Sequence, residues 1–214
     1  MTQGSFIVFE GIDGCGKSTQ AKKLAEYLNS IGKETWYTTQ PTDSPIGKII
    51  REYINCPDNY CKDEEETFDT FDAQIAYLFA ADRHWHLYNS NGIINKLNNG
   101  INVICDRYIF STFAHNSGNA SYKNYCLNVD LTKRFIEPDL IYFLDTDVDI
   151  CIDRLTNRGN SILYESVDKL QTAQMIYQRE FKHSDPSWCI QINANQQEDE
   201  IFKQILQGLS NVHI

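Results

Sequence analysis

The stretch Phe6-Ile-Val-Phe-Glu10-Gly-Ile-Asp13-Gly-Cys-Gly16-Lys-Ser-Thr19 restricts this chain more than any other. Its apolar start reads as a buried strand, its glycines as a turn, and the residues from Lys17 onward as the opening of a helix. Gly11 to Ser18 satisfies the spacing G-x-x-x-x-G-K-S/T of the phosphate-binding loop, and the strand before and helix after are the context that motif requires. The chemistry explains the spacing. Gly11, Gly14 and Gly16 let backbone N–H groups approach a phosphate with no Cβ in the way. The helix opening near Lys17 directs the positive end of its dipole at the same anion. Lys17 then reaches the β- and γ-phosphates, and the Ser18 hydroxyl is available to Mg²⁺.

A loop of this kind demands a parallel sheet, and the rest of the pattern supplies one. Helical spacing recurs over Lys17–Asn29, Ile46–Ile54 (Ile46, Ile49, Ile50 and Tyr53 on one face), Phe68–Leu97 with a break near Asn89–Gly92, Val148–Asn157, Glu165–Lys182 and Ile201–Leu209. Between these lie short strand-like runs at Glu34–Thr39, Ile101–Cys105, Leu140–Leu144 and Trp188–Ile192, making five with the first. Alternation of this sort implies an α/β fold, a five-stranded parallel sheet with helices on both faces, and ligands bound beyond the carboxyl ends of the strands. Three candidate sites fall at such ends: the Gly11 loop, the turn after Thr39, and Asp106-Arg107. The length of 214 residues fits a single domain, and the polar stretch Asn55–Glu66 reads as a surface excursion.

Composition excludes several classes. A net charge of −10 argues against a surface that holds a nucleic acid backbone. No apolar run approaches the roughly 20 residues that span a bilayer, and no basic segment precedes an apolar one at the start as in an export signal. The seven cysteines, Cys15, Cys56, Cys61, Cys105, Cys126, Cys151 and Cys189, include no C-x-x-C pair and are expected to be reduced thiols of a cytoplasmic protein.

Other residues carry candidate chemistry. Asp106 ends an apolar strand, where an acidic residue serves either as a neighbour of Mg²⁺ and its waters or as a cap for the next helix. Arg107 suits bidentate binding of a phosphate, or a salt bridge to a neighbouring Glu. Phe79 and Arg83 lie four apart on one helix face, an arrangement that fits a planar heterocycle as well as a core ring beside a surface cation. Arg154 and Arg158, followed by Gly159-Asn-Ser161, read as a basic segment closing on phosphates or as cations at a helix C-terminus.

Taken together these residues resemble the thymidylate kinase family nearly end to end. The matching pieces are Phe9–Asp13 into the loop, Pro41-Thr-Asp-Ser-Pro-Ile-Gly47, Leu78-Phe-Ala-Ala-Asp-Arg83, Asp106-Arg-Tyr-Ile-Phe-Ser111-Thr-Phe-Ala114, Pro138–Leu140 and Leu144-Asp145. The resemblance implies the three-layer P-loop kinase fold, with a lid near residues 154–165, and transfer of phosphate from ATP to dTMP with Mg²⁺. The loop residues Gly11, Ile12, Asp13, Gly14, Cys15, Gly16, Lys17, Ser18 and Thr19 would hold ATP, with Arg154 against adenine. Ser18 and Asp106 would face the metal. Phe79 would stack on thymine, Arg83 would bond its edge, and Ser111 and Thr112 would line the base pocket. Arg107 and Arg51 would take the acceptor phosphate. Asp13 would meet the sugar 3′-hydroxyl or the acceptor side of the metal cluster. Lys17, Asp13, Arg107 and Arg158 form the expected catalytic set, and a cytoplasmic homodimer is the expected assembly.

The chain departs from the family pattern at several positions. Gly14 stands where some members carry an arginine, which leaves Arg158 to meet transition-state charge. Thr39-Gln40 replaces the frequent Arg-Glu. His115 stands where Tyr or Phe packs under the sugar, so exclusion of a ribose 2′-hydroxyl is open; Asn116 follows. Rival readings are a kinase for another acceptor, such as dUMP, a modified pyrimidine nucleotide or a deoxynucleoside, and a nucleotide-binding regulator without turnover.

Overall fold

The computed structural model describes residues 3–55, 68–116, 122–157, 167–212 and 214, without the side chains of 68–72, 116 and 122–126. Arg158, most of the expected lid, Cys56, Cys61 and the side chains of Asn116 and Cys126 lie outside the described residues.

Five parallel strands form one sheet in the order β2-β3-β1-β4-β5: β1 (Phe6–Glu10), β2 (Thr35–Thr39), β3 (Asn102–Asp106), β4 (Leu140–Asp145) and β5 (Cys189–Asn193). Every residue of β1 and β3 is buried. That is the signature of central strands covered on both faces, and it explains apolar runs such as Phe6-Ile-Val-Phe9 in place of an alternating pattern.

The helices are α1 (Lys17–Ser30), α2 (Pro45–Asn55), α3 (Phe68–Tyr88), α4 (Ile93–Asn98), α5 (Ile109–Asn116), α6 (Tyr122–Thr132), α7 (Val148–Asn157), α8 (Val167–Phe181) and α9 (Glu198–Gly208). On α1 the residues Gln20, Ala21, Leu24, Ala25 and Leu28 form the buried stripe. This helix packs against α9 on one face of the sheet, while α3, α5 and α8 pack in succession on the other. Right-handed crossovers dictate this division. The connection from β1 runs toward β2 on one side, and the connection from β3 runs toward β4 on the other. β1 and β3 are neighbours, so their chains part at a topological switch point, where α/β sheets open a ligand crevice.

Two differences from the sequence reading have physical causes. Ile49 is 43% exposed although the α2 pattern places it on the apolar face; Gly47 and Ile50 carry the burial there. Periodicity assigns no element between Tyr108 and Ile136, where α5 and α6 lie. The α6 sequence, Tyr122-Lys-Asn-Tyr-Cys-Leu-Asn-Val-Asp-Leu-Thr132, has no clear apolar stripe to read.

Candidate active site

The loop between β1 and α1 turns on three glycines. Gly11, Gly14 and Gly16 all have positive φ (145°, 84° and 102°). At Gly14 a Cβ would lie 2.5 Å from the carbonyl oxygen of Cys151, so both space and backbone require glycine. Lys17 is buried, and its Nζ donates to the Ile12 carbonyl at 2.9 Å. Arg154 of α7 braces the loop from behind, its guanidinium donating to the carbonyls of Cys15 (3.3 Å) and Ala194 (3.1 Å). The Cys15 thiol is buried at the loop's centre, and burial pushes its pKa up, away from thiolate chemistry.

Across the switch point the loop meets the end of β3 twice. Ser18 Oγ donates to Asp106 Oδ2. Arg107 Nη2 donates to Asp13 Oδ1, and Lys17 Nζ lies 3.7 Å from the same carboxylate. Burial works to raise the Asp13 pKa, but Arg107 and Lys17 outweigh it and hold the carboxyl well below the usual range. The other Asp106 oxygen, Oδ1, is buried and has no hydrogen-bond partner among the described residues. A hydroxyl beside a carboxylate with a spare lone-pair face is the hard oxygen donor set that suits Mg²⁺.

Arg107 is the one non-glycine residue with positive φ (73°) among the described residues. An L-residue in this region costs about 1–2 kcal/mol, so something must hold it there. The clamp is Glu10, the last residue of β1 and fully buried. Its carboxylate accepts from Tyr108 N (2.9 Å), Ser111 N (3.2 Å), Ser111 Oγ (2.7 Å) and Tyr177 Oη (2.8 Å). Arg107 Nη1 in turn donates to Ser111 Oγ at 3.1 Å and meets His115 Nε2 at 2.9 Å. A guanidinium only donates, so that imidazole nitrogen is the acceptor.

Beyond Arg107 lies a cavity of about 350 Å³, a size suited to a small ligand. Asp13 and Arg107 stand at one end of its lining, with Arg51 and Pro41 on the α2 side. Phe79 and Arg83 of α3 form another wall, and Ser111, Thr112 and His115 of α5 complete it. Residues from four separate segments thus converge on one space beside the loop. Arg51 donates to the carbonyls of Pro41 (2.6 Å) and Thr42 (2.7 Å), which fixes its guanidinium at the rim. Arg83 is not a surface cation: it is 1% exposed, and its Nη2 donates to Thr112 Oγ1 (2.9 Å) and the Tyr108 carbonyl (3.1 Å).

Sequence reasoning missed Glu10, Asp82, His86 and Tyr177, and marked Gln40 as a departure from the family pattern without giving it a role. Asp82 is fully buried and accepts from Thr42 N and Ser44 Oγ, both at 2.8 Å, pinning the turn that leads into α2. The available signal was a lone carboxylate inside an apolar run, at Glu10 after Phe9 and at Asp82 after Ala81. His86 and Tyr177 carry no such mark.

A phosphate loop on a five-stranded parallel sheet, ion-paired to an arginine at the mouth of a small-molecule cavity, defines a P-loop kinase acting on a small acceptor. The family profile described as Thymidylate kinase matches residues 9–205. The putative thymidylate kinase of Treponema pallidum is 32% identical, over 96% of this chain and 94% of its own length. The probable thymidylate kinase of Methanococcus aeolicus is 34% identical, over 98% and 97%. The thymidylate kinase of Plasmodium falciparum is 33% identical, over 99% and 92%. The chain belongs to the thymidylate kinase family.

Proposed function

We propose that this protein transfers the γ-phosphoryl group of ATP to dTMP, giving ADP and dTDP. Besides family membership, one observation carries the reading: the Asp13–Arg107 pair joins the phosphate loop to a cavity walled by Phe79 and Arg83. The two phosphates would meet at that junction. An acceptor phosphate oxygen attacks the γ-phosphorus in line, the bond to the β,γ-bridging oxygen breaks, and ADP departs; a dianionic acceptor needs no general base.

Each residue role is a proposal. The amides of Gly11, Ile12, Gly14, Cys15, Gly16, Ser18 and Thr19 cradle the donor phosphates, and Lys17 neutralises charge as it spreads over the transferring group. Ser18 and Asp106 would hold Mg²⁺, which when bound offsets charge on the β- and γ-phosphates. Arg107 and Arg51 grip the acceptor phosphate, and Asp13 aims Arg107. Phe79 stacks on the base, Arg83 donates to its edge, and Ser111, Thr112 and His115 bound the pocket. Arg154 steadies the loop on the adenine side. Arg158 is proposed as a further transition-state cation on the family resemblance alone.

The chain is further proposed to act as one domain and as a cytoplasmic homodimer. Exposed Tyr77, Trp85 and Tyr88 on one face of α3 support the dimer, as an apolar patch suited to a second copy. Buried free thiols at Cys15, Cys105, Cys151 and Cys189 suit a reducing compartment. Among the described residues no helix is long and apolar enough to cross a membrane.

A panel of dTMP, dUMP, dCMP, TMP with a ribose, and thymidine, each with MgATP in a coupled ADP assay, tests the reading. The expected result is a kcat/KM highest for dTMP. A higher value for any other acceptor, or no ADP from any of them, overturns it.

A further inference from the structure

One wall of the acceptor cavity has its polarity set from outside the cavity. Arg83 Nε donates to Gln40 Oε1 at 3.1 Å, and Gln40, at the end of β2, is 3% exposed. The Gln40 amide nitrogen lies 3.2 Å from His86 Nδ1, and His86 Nε2 lies 2.7 Å from Thr38 Oγ1. Donor and acceptor roles along this chain are not free. A guanidinium has only donors, so Gln40 must turn its oxygen to Arg83. Its NH₂ group therefore faces His86, and an amide nitrogen also only donates, so Nδ1 is the acceptor. The proton of the neutral ring sits on Nε2, which donates to Thr38 Oγ1. Turning the Gln40 carboxamide over would set two donors against each other at Arg83. With Nε and Nη2 both engaged, Nη1 is the guanidinium nitrogen that is buried without a hydrogen-bond partner among the described residues.

We propose that His86 is a positioning residue for the acceptor site: its Nε2–H tautomer locks the Gln40 carboxamide oxygen onto Arg83 and so holds Nη1 ready for an acceptor atom, such as a carbonyl oxygen, on the bound base. The proposal rests on Arg83 facing the base, as read above. His86 is 2% exposed and surrounded so as to keep the tautomer. Asp82 and Arg83 are its charged neighbours on α3. Trp36, edge-on at 5.7 Å, Thr38 and Gln40 are neutral, and Lys96 of α4 lies over the Trp36 ring at 5.8 Å. Burial pulls the His86 pKa down to about 4, with Asp82 opposing and Arg83 assisting, which favours the neutral ring at neutral pH. Protonation would place an Nδ1–H against the Gln40 NH₂ and break the lock.

Two measurements test this. In ¹⁵N-labelled protein, long-range proton–nitrogen correlation at neutral pH should show His86 protonated at Nε2 alone; an Nδ1–H or doubly protonated ring overturns the relay, whatever the substrate. In kinetics at saturating ATP, His86→Leu should raise KM for dTMP roughly tenfold to a hundredfold and shrink the dTMP-to-dCMP ratio of kcat/KM by a similar factor, with KM for ATP unchanged. His86→Gln, which can accept from Gln40 and donate to Thr38, should recover most of both. If His86→Leu lowers Tm but leaves KM and the ratio in place, or if His86→Gln rescues nothing, the residue is structural only and the proposal fails. A wild-type enzyme that turns over no pyrimidine nucleotide would instead sink the kinase reading, while the tautomer measurement still decides the relay.

Discussion

The two halves of the site are built on different principles. The loop from Gly11 to Ser18 is a contiguous piece of main chain that offers amides to a ligand, with the Lys17 and Cys15 side chains buried in it. The cavity beside it is made of side chains from distant segments: Arg51 on α2, Phe79 and Arg83 on α3, Arg107 after β3, and His115 on α5. A cradle of amides binds any chain of phosphates and carries no preference for the rest of the ligand. A constellation of rings and guanidinium groups reads a particular shape, and it depends on the fold to assemble it. On the proposed function, the loop would supply the reaction and the cavity the choice of acceptor.

Substitutions in the two halves should separate accordingly. Lys17→Ala should reduce kcat roughly a thousandfold or more while dTMP still binds, as read by calorimetry. Equal loss of dTMP binding would break the division. Arg107→Ala should cost roughly a hundredfold to a thousandfold in kcat/KM for dTMP with much less change in KM for ATP, and parallel loss on both substrates would mean that the ion pair with Asp13 makes one site of the two.

The asymmetry also explains what the amino-acid sequence disclosed. The loop was legible because all its constraints are local: the glycine spacing, the strand before and the helix after. The sheet was legible because five short apolar runs alternate with helical ones. The grouping of Phe79 and Arg83 with Arg107 came from family resemblance, since an aromatic and an arginine four apart are common on helices. The Glu10 clamp was not legible. Its partners Tyr108, Ser111 and Tyr177 are up to 167 residues away, and tertiary structure alone brings them together. The helices α5 and α6 escaped for a related reason, as their packing partners α3 and α8 define faces that α6's own mixed sequence does not display.

Smaller effects sharpen the comparison on the side of stability. Gly14→Ala should lower stability by about 1–3 kcal/mol in urea unfolding, because the new methyl meets the Cys151 backbone and φ is 84°. ATP binding should weaken with it, and the dTMP site should be largely spared. Asp13→Asn removes a carboxylate whose folded pKa lies below its ordinary value of 3.8. A depressed carboxylate stabilises the fold above its unfolded pKa and loses that contribution as pH falls toward the folded one. The Tm gap between wild type and Asp13→Asn should thus be full at neutral pH and close progressively below about pH 4; a gap that widens on acidification would contradict the ion pair. The smallest effect is expected far from both halves. Lys23 pairs with Glu198 and Asp199 at the surface, and Lys23→Ala should change stability by about 0–1 kcal/mol, and less in high salt.

The left-handed turn at Arg107 has a consequence for anyone who would improve this molecule. Glycine would relieve the backbone there of about 1–2 kcal/mol, yet it would take the guanidinium from the mouth of the cavity and leave the Asp13 carboxylate without its ion pair. A library sorted for heat resistance would set these two opposing terms against each other at this codon, while one sorted for turnover would keep the arginine.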